Sequence, residues 1–158
     1  MHILSLIFLT LTISSCATTS DDARNESLAK KLIENSHSGY KDANFEVTSF
    51  NGIALITGQV ASATMIPIAT TEVEKLRNVR KVYNELRVSG QTSMIARTND
   101  TWLTAKVRSA LATAENTDTS RIKLVTENGV VFMMGLLSRA EAEAAVEVAR
   151  QTKGVQKI

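Results

Sequence analysis

Residues 45–58 read FEVTSFNGIALITG, and two segments of alternating apolar and polar residues flank Asn51-Gly52. Alternation with a period of two is typical of strands that bury one face of a sheet. Asn-Gly suits a type I′ turn, because both central residues of that turn take positive φ. These residues therefore predict a β-hairpin whose second strand ends near Gly58.

The hairpin sequence occurs twice. Residues 122–137 read IKLVTENGVVFMMGLL and align with residues 45–60 at a constant offset of 77, without a gap. The aligned turn and strand-end residues are Asn51-Gly52 with Asn128-Gly129, and Gly58 with Gly135. Self-similarity at a fixed period is the signature of repeated structural units. The chain is therefore predicted to be a tandem duplication.

Apolar residues at helical spacing precede each hairpin. The predicted core-facing stripes are Leu28, Leu32 and Ile33 in the first unit, and Leu103, Val107, Ala110 and Leu111 in the second. Their spacings fit the 3.6-residue period of an α-helix. The two segments match at an offset of 75, which makes Ser27 the counterpart of Trp102. In the second unit this first helix is predicted to start near Thr101.

A second helix is predicted after each hairpin. In the first unit it starts near Met65, because Pro67 is tolerated only in the first turn of a helix. In the second unit Ser138 and Glu141 form a capping box, and the Ala-rich segment that follows continues to Gln151.

The predicted fold class is α+β, with two tandem units of helix–strand–strand–helix–strand. In each unit a small mixed three-stranded sheet packs on two helices, and residues 82–88 form the last strand of the first unit. The domains span residues 24–90 and 99–158, with a linker at residues 91–98. The last strand of the second unit is absent, since the sequence stops at Ile158 where that strand should begin. We expect that the chain continues or that this domain takes a strand from elsewhere.

Composition excludes several classes of function. The 158 residues include 18 Lys and Arg against 16 Asp and Glu, and each predicted domain carries nine basic and seven acidic side chains when Arg97 is counted with the second. A nucleic-acid surface should be strongly basic and clustered, so no nucleic-acid partner is expected. With one Cys and only His2 and His37 as imidazoles, neither a His-dependent triad nor a zinc site can readily form. We predict no cofactor, no metal and no catalytic residue.

The N-terminus is typical of a secreted protein. Residues 3–13 are an apolar run, well short of the ~20 residues that span a bilayer, so residues 1–15 are predicted to be a signal peptide. The run ends in residues 13–16, Ile-Ser-Ser-Cys, which resemble the lipobox of bacterial lipoproteins. This resemblance implies that Cys16 is acylated, for example with palmitate. Residues 16–23 are small and polar and have nothing to bury, so they are predicted to form a flexible tether. The alternative is that Cys16 is an incidental thiol in an ordinary secretory leader, which here lacks the usual basic start.

One flank of the helix near Thr101 could contact a membrane. On a helical wheel Lys106 and Ser109 lie within about 40° of Trp102, just outside the core stripe, and Arg108 lies further round. Trp favours the headgroup level of a bilayer, and each basic residue near an anionic surface contributes ~1 kcal/mol. The alternative is that Trp102 packs under a loop or against the sister domain.

The helix–hairpin–helix–strand unit, with Gly58 and Gly135 after the second strands, resembles the BON domain. Two such units behind a lipobox, with Trp102 on the helix of the second, resemble the dual-BON lipoproteins of the bacterial outer membrane. The resemblance implies that the second domain binds anionic phospholipid through Trp102, Lys106, Arg108 and Ser109, without catalysis. It also implies an anchor in the outer membrane facing the periplasm, because Ala17 rather than Asp follows Cys16.

The wider role implied by this resemblance is support of outer-membrane integrity and localisation to division sites. A second hypothesis is an interaction protein that docks on an outer-membrane assembly machine or a peptidoglycan-associated partner, with Trp102 packed between the domains. An enzyme is the least favoured class, since the sequence offers no paired carboxylates, phosphate loop or metal cluster.

Overall fold

The computed structural model describes residues 14–90 and 92–158, with side chains from residue 21 onward. The elements of the first unit are α1 (Ser14–Ser36), β1 (Asn44–Phe50), β2 (Ile53–Val60), α2 (Met65–Glu74) and β3 (Lys81–Val88). Those of the second are α3 (Met94–Thr113), β4 (Ile122–Glu127), β5 (Val130–Gly135) and α4 (Arg139–Gln151). The predicted α+β class with two tandem units is confirmed.

The first sheet has the order β1-β2-β3, with β1 antiparallel and β3 parallel to β2. The parallel pair is joined by the crossover helix α2, as parallel strands require. Both hairpin turns take positive φ at their two central residues: 48° at Asn51 and 72° at Gly52, 49° at Asn128 and 75° at Gly129. These values are those of a type I′ turn, whose twist matches that of the flanking strands.

Each unit has its own apolar core between its helices and its sheet. The first core includes Ala29, Ile33, Tyr40, Phe45, Val47, Ile56, Val60, Met65, Ala69 and Val73. The second includes Leu103, Val107, Leu111, Ile122, Leu124, Val131, Ala145 and Ala149. Two separate cores of this kind are expected from a duplicated folding unit. Among the helices of the described residues, none is both long and apolar enough to cross a membrane.

The first helix differs from its prediction in extent and in register. It runs from Ser14, so residues 16–23 are helical in the structure and not a flexible tether. The segment contains neither Gly nor Pro, and nothing in it breaks a helix. Its buried apolar side chains are Ala29 and Ile33, whereas Leu28 is exposed and Leu32 is only partly buried. The predicted stripe was therefore rotated by about one residue.

The second unit also begins earlier than its sequence predicted. Helix α3 starts at Met94, inside the predicted linker at residues 91–98, because the Ser93 side chain accepts a hydrogen bond from the Ala96 N–H and caps the helix. The buried Val107 and Leu111 correspond to Ala29 and Ile33. The true helical offset between the units is thus 78 and not 75.

The sheet of the second unit is smaller than that of the first. Among the described residues it contains β4 and β5, paired antiparallel, and one parallel bridge between Val130 and Lys157. The bridge stands where β3 begins to pair with β2 in the first unit, at Ile53 and Lys81. That a third strand completes this sheet stays a prediction.

The two domains pack with their sheets facing each other. Leu55, Thr57 and Gln59 point away from the first core yet are at most 4% exposed. An apolar cavity of about 400 Å³ between the sheets is lined by Phe50 and Leu55 of the first domain and by Phe132 and Met134 of the second. Met134 therefore lies on the strand face away from its own core and faces the other domain.

Candidate functional site

The outer face of α3 presents an aromatic ring next to a cation. Trp102 is 63% exposed, and Nζ of Lys106, one turn further along, lies 3.8 Å from the centroid of its ring. The same ammonium donates a hydrogen bond of 3.4 Å to the carbonyl oxygen of Lys153. The contact between cation and ring holds Lys106 over the indole face, where the attraction is electrostatic.

Trp102 stands at the rim of a cleft of about 450 Å³ in the second domain. The cleft is bounded by α3, by the turn at Asn128-Gly129 and by the segment after α4 that contains Lys153 and Gly154. Gly154 takes a φ of 113° and approaches Leu103 closely, so the segment folds back against α3. The main-chain N–H of Gln156 then donates to the carbonyl oxygen of Gly129, at 2.9 Å.

A buried carboxylate fixes α3 against the hairpin turn. Asp100 is 8% exposed and accepts hydrogen bonds from the main-chain N–H groups of Asn128, at 2.7 Å, and Gly129, at 2.8 Å. The first unit repeats the device: Asp22 accepts from the N–H groups of Asn51 and Gly52. Hydrogen bonds to a charged acceptor are stronger than neutral ones. This pair was not predicted from the sequence, although each aspartate precedes its Asn-Gly turn by nearly the same interval.

The predicted site residues are only partly brought together. Trp102 and Lys106 are in contact, and Ser109 is exposed on the same face of α3, about 10 Å further along the axis. Arg108 lies elsewhere, in a cleft between the domains that also contains Arg121 and Lys123. The side chain of Cys16 and all of residues 1–13 lie outside the described residues, so the predicted lipidation and signal peptide stay predictions.

Two exposed apolar side chains extend the Trp102 face toward the start of α3. Met94 and Ile95 are 77% and 76% exposed, and Ile95 lies seven residues, about two helical turns, before Trp102. They were not predicted from the sequence, because the apolar stripe indicated a helix that starts near Thr101. The signal that could have found them is the Ser93 N-cap.

Hydrogen bonds between polar groups connect the two domains beside this site. The fully buried Gln59 donates from Nε2 to Oε1 of Glu127 at 2.5 Å, and its own Oε1 accepts from the Thr92 N–H. Burial raises the pKa of the Glu127 carboxyl, and the negative charge of Asp100 raises it further. The Gln59 hydrogen bond and the positive charges of two arginines, Arg87 and Arg97, act in the opposite direction without reversing the shift.

We therefore predict that Glu127→Gln removes part of the pH dependence of stability. The folded state binds the Glu127 proton more tightly than the unfolded chain, so its contribution to stability is complete below the usual glutamate pKa and is lost as the pH rises through the raised pKa. The variant should melt at a higher temperature than the parent at pH 8 and at the same temperature at pH 4. Glu115→Gln, at an exposed position, is the control, and an equal effect of both substitutions would contradict the prediction.

Comparison with known proteins places the two units in one family. The family model for the BON domain matches residues 20–90 and 99–158. The first match begins before Arg24, in agreement with the early start of α1. Among the described residues no group of three or more His, Cys, Asp and Glu side chains could hold a metal ion.

Two relatives match most of the chain. It is 30% identical over 138 residues to the outer membrane lipoprotein DolP of Haemophilus influenzae, covering 87% of this chain and 72% of the relative. It is 33% identical over 118 residues to the 21 kDa hemolysin of Actinobacillus pleuropneumoniae, covering 75% of this chain but only 61% of that protein's length.

A solved structure, the C-terminal domain of CdsD, a structural protein of the Chlamydia trachomatis type III secretion system, matches with a TM-score of 0.32. The match is 9% identical and covers 80% of this chain and 92% of that one, and it is too distant to inform function. The family matches and the DolP relative, by contrast, cover most of both units. The chain belongs to the BON domain family and carries two BON domains in tandem.

Proposed function

We propose that this protein is a non-catalytic envelope lipoprotein whose second BON domain binds anionic phospholipid at the inner face of the outer membrane. The observation that carries the proposal is the exposed indole of Trp102 with the ammonium of Lys106 stacked on it. The name of the DolP relative, an outer membrane lipoprotein, supports the location. In this role the protein would support outer-membrane integrity and localise to division sites.

The geometry of α3 suits a shallow membrane contact. Trp102 and Ile95 lie on one exposed face of the helix and can enter the headgroup region together. Lys106 and the exposed Lys153 adjoin this face, and an anionic surface attracts each of them by ~1 kcal/mol. Arg108 acts at longer range, because its side chain lines a different cleft.

The acyl anchor is the second part of the proposal. A single small helical face binds a bilayer weakly, and stable attachment takes two signals. Acylation of Cys16 would supply the second signal and raise the local concentration of the α3 face at the membrane. The helix α1 connects Cys16 directly to the first domain.

We predict that Trp102→Ala lowers affinity for vesicles rich in phosphatidylglycerol at least about tenfold and changes the melting temperature by less than about 2 °C, because the ring is largely exposed. Tyr83→Ala is the matched control, since Tyr83 is also exposed and also carries a lysine, Lys81, 4.6 Å from its ring centroid. Vesicle co-sedimentation measures the affinity of both variants for these vesicles.

The same experiment tests the interaction hypothesis. If Trp102→Ala lowers the melting temperature strongly and leaves vesicle affinity unchanged, Trp102 is a packing residue and the lipid proposal is wrong. Docking on an outer-membrane assembly machine or a peptidoglycan-associated partner would then be the preferred function. The exposure of Trp102 favours the lipid proposal over packing between the domains.

A further inference from the structure

The first domain contains a cleft that is the counterpart of the one beside Trp102. It has a volume of about 320 Å³ and lies between α1, the turn at Asn51-Gly52 and the segment after α2. The main-chain N–H of Arg80 donates to the carbonyl oxygen of Gly52 at 2.7 Å, as that of Gln156 does to Gly129 in the second domain. The two clefts therefore occupy the same place in the repeated unit.

The side chains in the first cleft are different from those in the second. Arg77 replaces Lys153, and Arg80 replaces Gln156. The guanidinium of Arg80 donates one hydrogen bond to the carbonyl oxygen of Asn51. Its other N–H groups remain as donors for a ligand. Arg77 is exposed and makes no ion pair with any side chain from residue 21 onward.

Asn25 is the most informative residue of this cleft. It occupies the position of Leu103 in the second domain, lines the cleft and is only 5% exposed. Its Nδ2 has no hydrogen-bond partner, the only such case among the buried side-chain N and O atoms of the described residues. A buried donor without an acceptor is unfavourable, and an unbound ligand is one explanation for it. What Nδ2 lacks is an oxygen acceptor.

The negative charges at the cleft do not remove this need. Asp22 is already engaged by the two turn N–H groups and by the hydroxyl of Ser49, so its charge is largely satisfied. Asp21 is exposed at the wall of the cleft and can accept a hydrogen bond from a hydroxyl group. The groups left to meet a ligand include the guanidinium groups of Arg77 and Arg80 and the carboxylate of Asp21. The amide of Asn25 joins them once its side chain turns toward the cleft.

We propose that this cleft of the first domain is a second binding site for a phosphate group, held by Arg77, Arg80 and the amide of Asn25. Guanidinium groups match phosphate oxygens in a bidentate geometry. A hydroxyl of the same ligand, as in a glycerol headgroup, would meet Asp21. The phosphate comes from a phospholipid headgroup or from a free phosphate ester, and the site does not depend on lipid binding by Trp102.

The first test is an NMR titration of the full-length protein with sodium phosphate against sodium chloride at equal ionic strength. The side-chain amide of Asn25 and the main-chain amide of Gly52 should shift with phosphate alone. Arg77→Gln should weaken the binding at least about tenfold, whereas Lys31→Gln, which removes a positive charge elsewhere on α1, should leave it unchanged. Equal shifts with chloride, or equal behaviour of the two variants, would overturn the proposal.

A second variant separates binding from stability. Asn25→Leu places the residue of the second domain in the first, so it should raise the melting temperature by about 4 °C and abolish the phosphate-induced shift of Gly52. If the shift persists in this variant, the amide of Asn25 is not part of the site and the proposal is wrong.

Vesicles distinguish the two sources of phosphate. In the Trp102→Ala background, residual co-sedimentation with phosphatidylglycerol vesicles that Arg77→Gln removes would identify a lipid headgroup as the ligand. Phosphate binding without any residual co-sedimentation would identify a free phosphate ester. Because Arg77 lies in the first domain, these results do not depend on whether Trp102 binds lipid.

Discussion

Gly58→Ala is expected to destabilise the first domain severely. Gly58 pairs with Phe45 across the hairpin and takes a φ of 125°, which L side chains rarely adopt. A Cβ at this position would lie 2.1 Å from the carbonyl oxygen of Asn44 and 2.6 Å from Cα of Phe45. Both are main-chain atoms within a sheet and cannot move aside. We expect a loss of at least about 4 kcal/mol of unfolding free energy.

Gly90→Ala is the matched control, because a Cβ there would meet no atom within 4 Å. It should leave the stability within about 0.5 kcal/mol of the parent. Urea unfolding followed by circular dichroism measures the free energy of unfolding of both variants. A cooperative transition of Gly58→Ala at the parent's midpoint would show that the hairpin is not built as described.

The second large effect is expected from Asp100→Ala. The substitution removes the acceptor for the N–H groups of Asn128 and Gly129, of which the first is part-buried and the second buried. Loss of two hydrogen bonds to a charged group should cost roughly 3 kcal/mol, confined to the second domain. The same substitution should also release α3 from the turn and disorder the cleft beside Trp102.

Asn99→Ala, at the exposed neighbouring position, is the control for this prediction, and Asp100→Asn should be intermediate because one acceptor oxygen remains. Calorimetric unfolding separates the two domains if their transitions differ. A melting temperature of Asp100→Ala within about 2 °C of the parent would contradict the role assigned to this carboxylate.

The hairpins and the second helices were predictable because their signals are local. Asn51-Gly52 and Asn128-Gly129 select a type I′ turn whatever surrounds them. Pro67 and the Ser138 capping box similarly fix the starts of α2 and α4. In each case one or two residues determine the main-chain geometry, so the prediction does not depend on tertiary contacts.

The first helices were harder to predict because tertiary contacts decide them. Asp22 and Asp100 hold each helix to its turn, a contact between residues about 30 positions apart. This contact aligns the helices at an offset of 78, which makes Arg24 and not Ser27 the counterpart of Trp102. Leu28 fits the helical spacing of the apolar residues around it, and that spacing alone could not show that its side chain is exposed.

The candidate site was predicted in part for the same reason. Residues one turn apart on a helix, such as Trp102 and Lys106, meet whatever the helix packs against. Lys153 and the first-domain cleft require the chain to fold back after each second helix, and no local pattern indicates that. The position of Arg108 likewise depends on how the two domains pack.

The emission spectrum of Trp102, the only tryptophan, tests lipid binding by the second domain most directly. The acyl-free chain from residue 17 onward is titrated with phosphatidylglycerol vesicles and, separately, with phosphatidylcholine vesicles. We predict the long-wavelength emission of an exposed indole in buffer, and a shift to shorter wavelength with the anionic vesicles alone that salt reverses. An unchanged spectrum with anionic vesicles, or an equal shift with both kinds, would contradict binding of anionic phospholipid through Trp102.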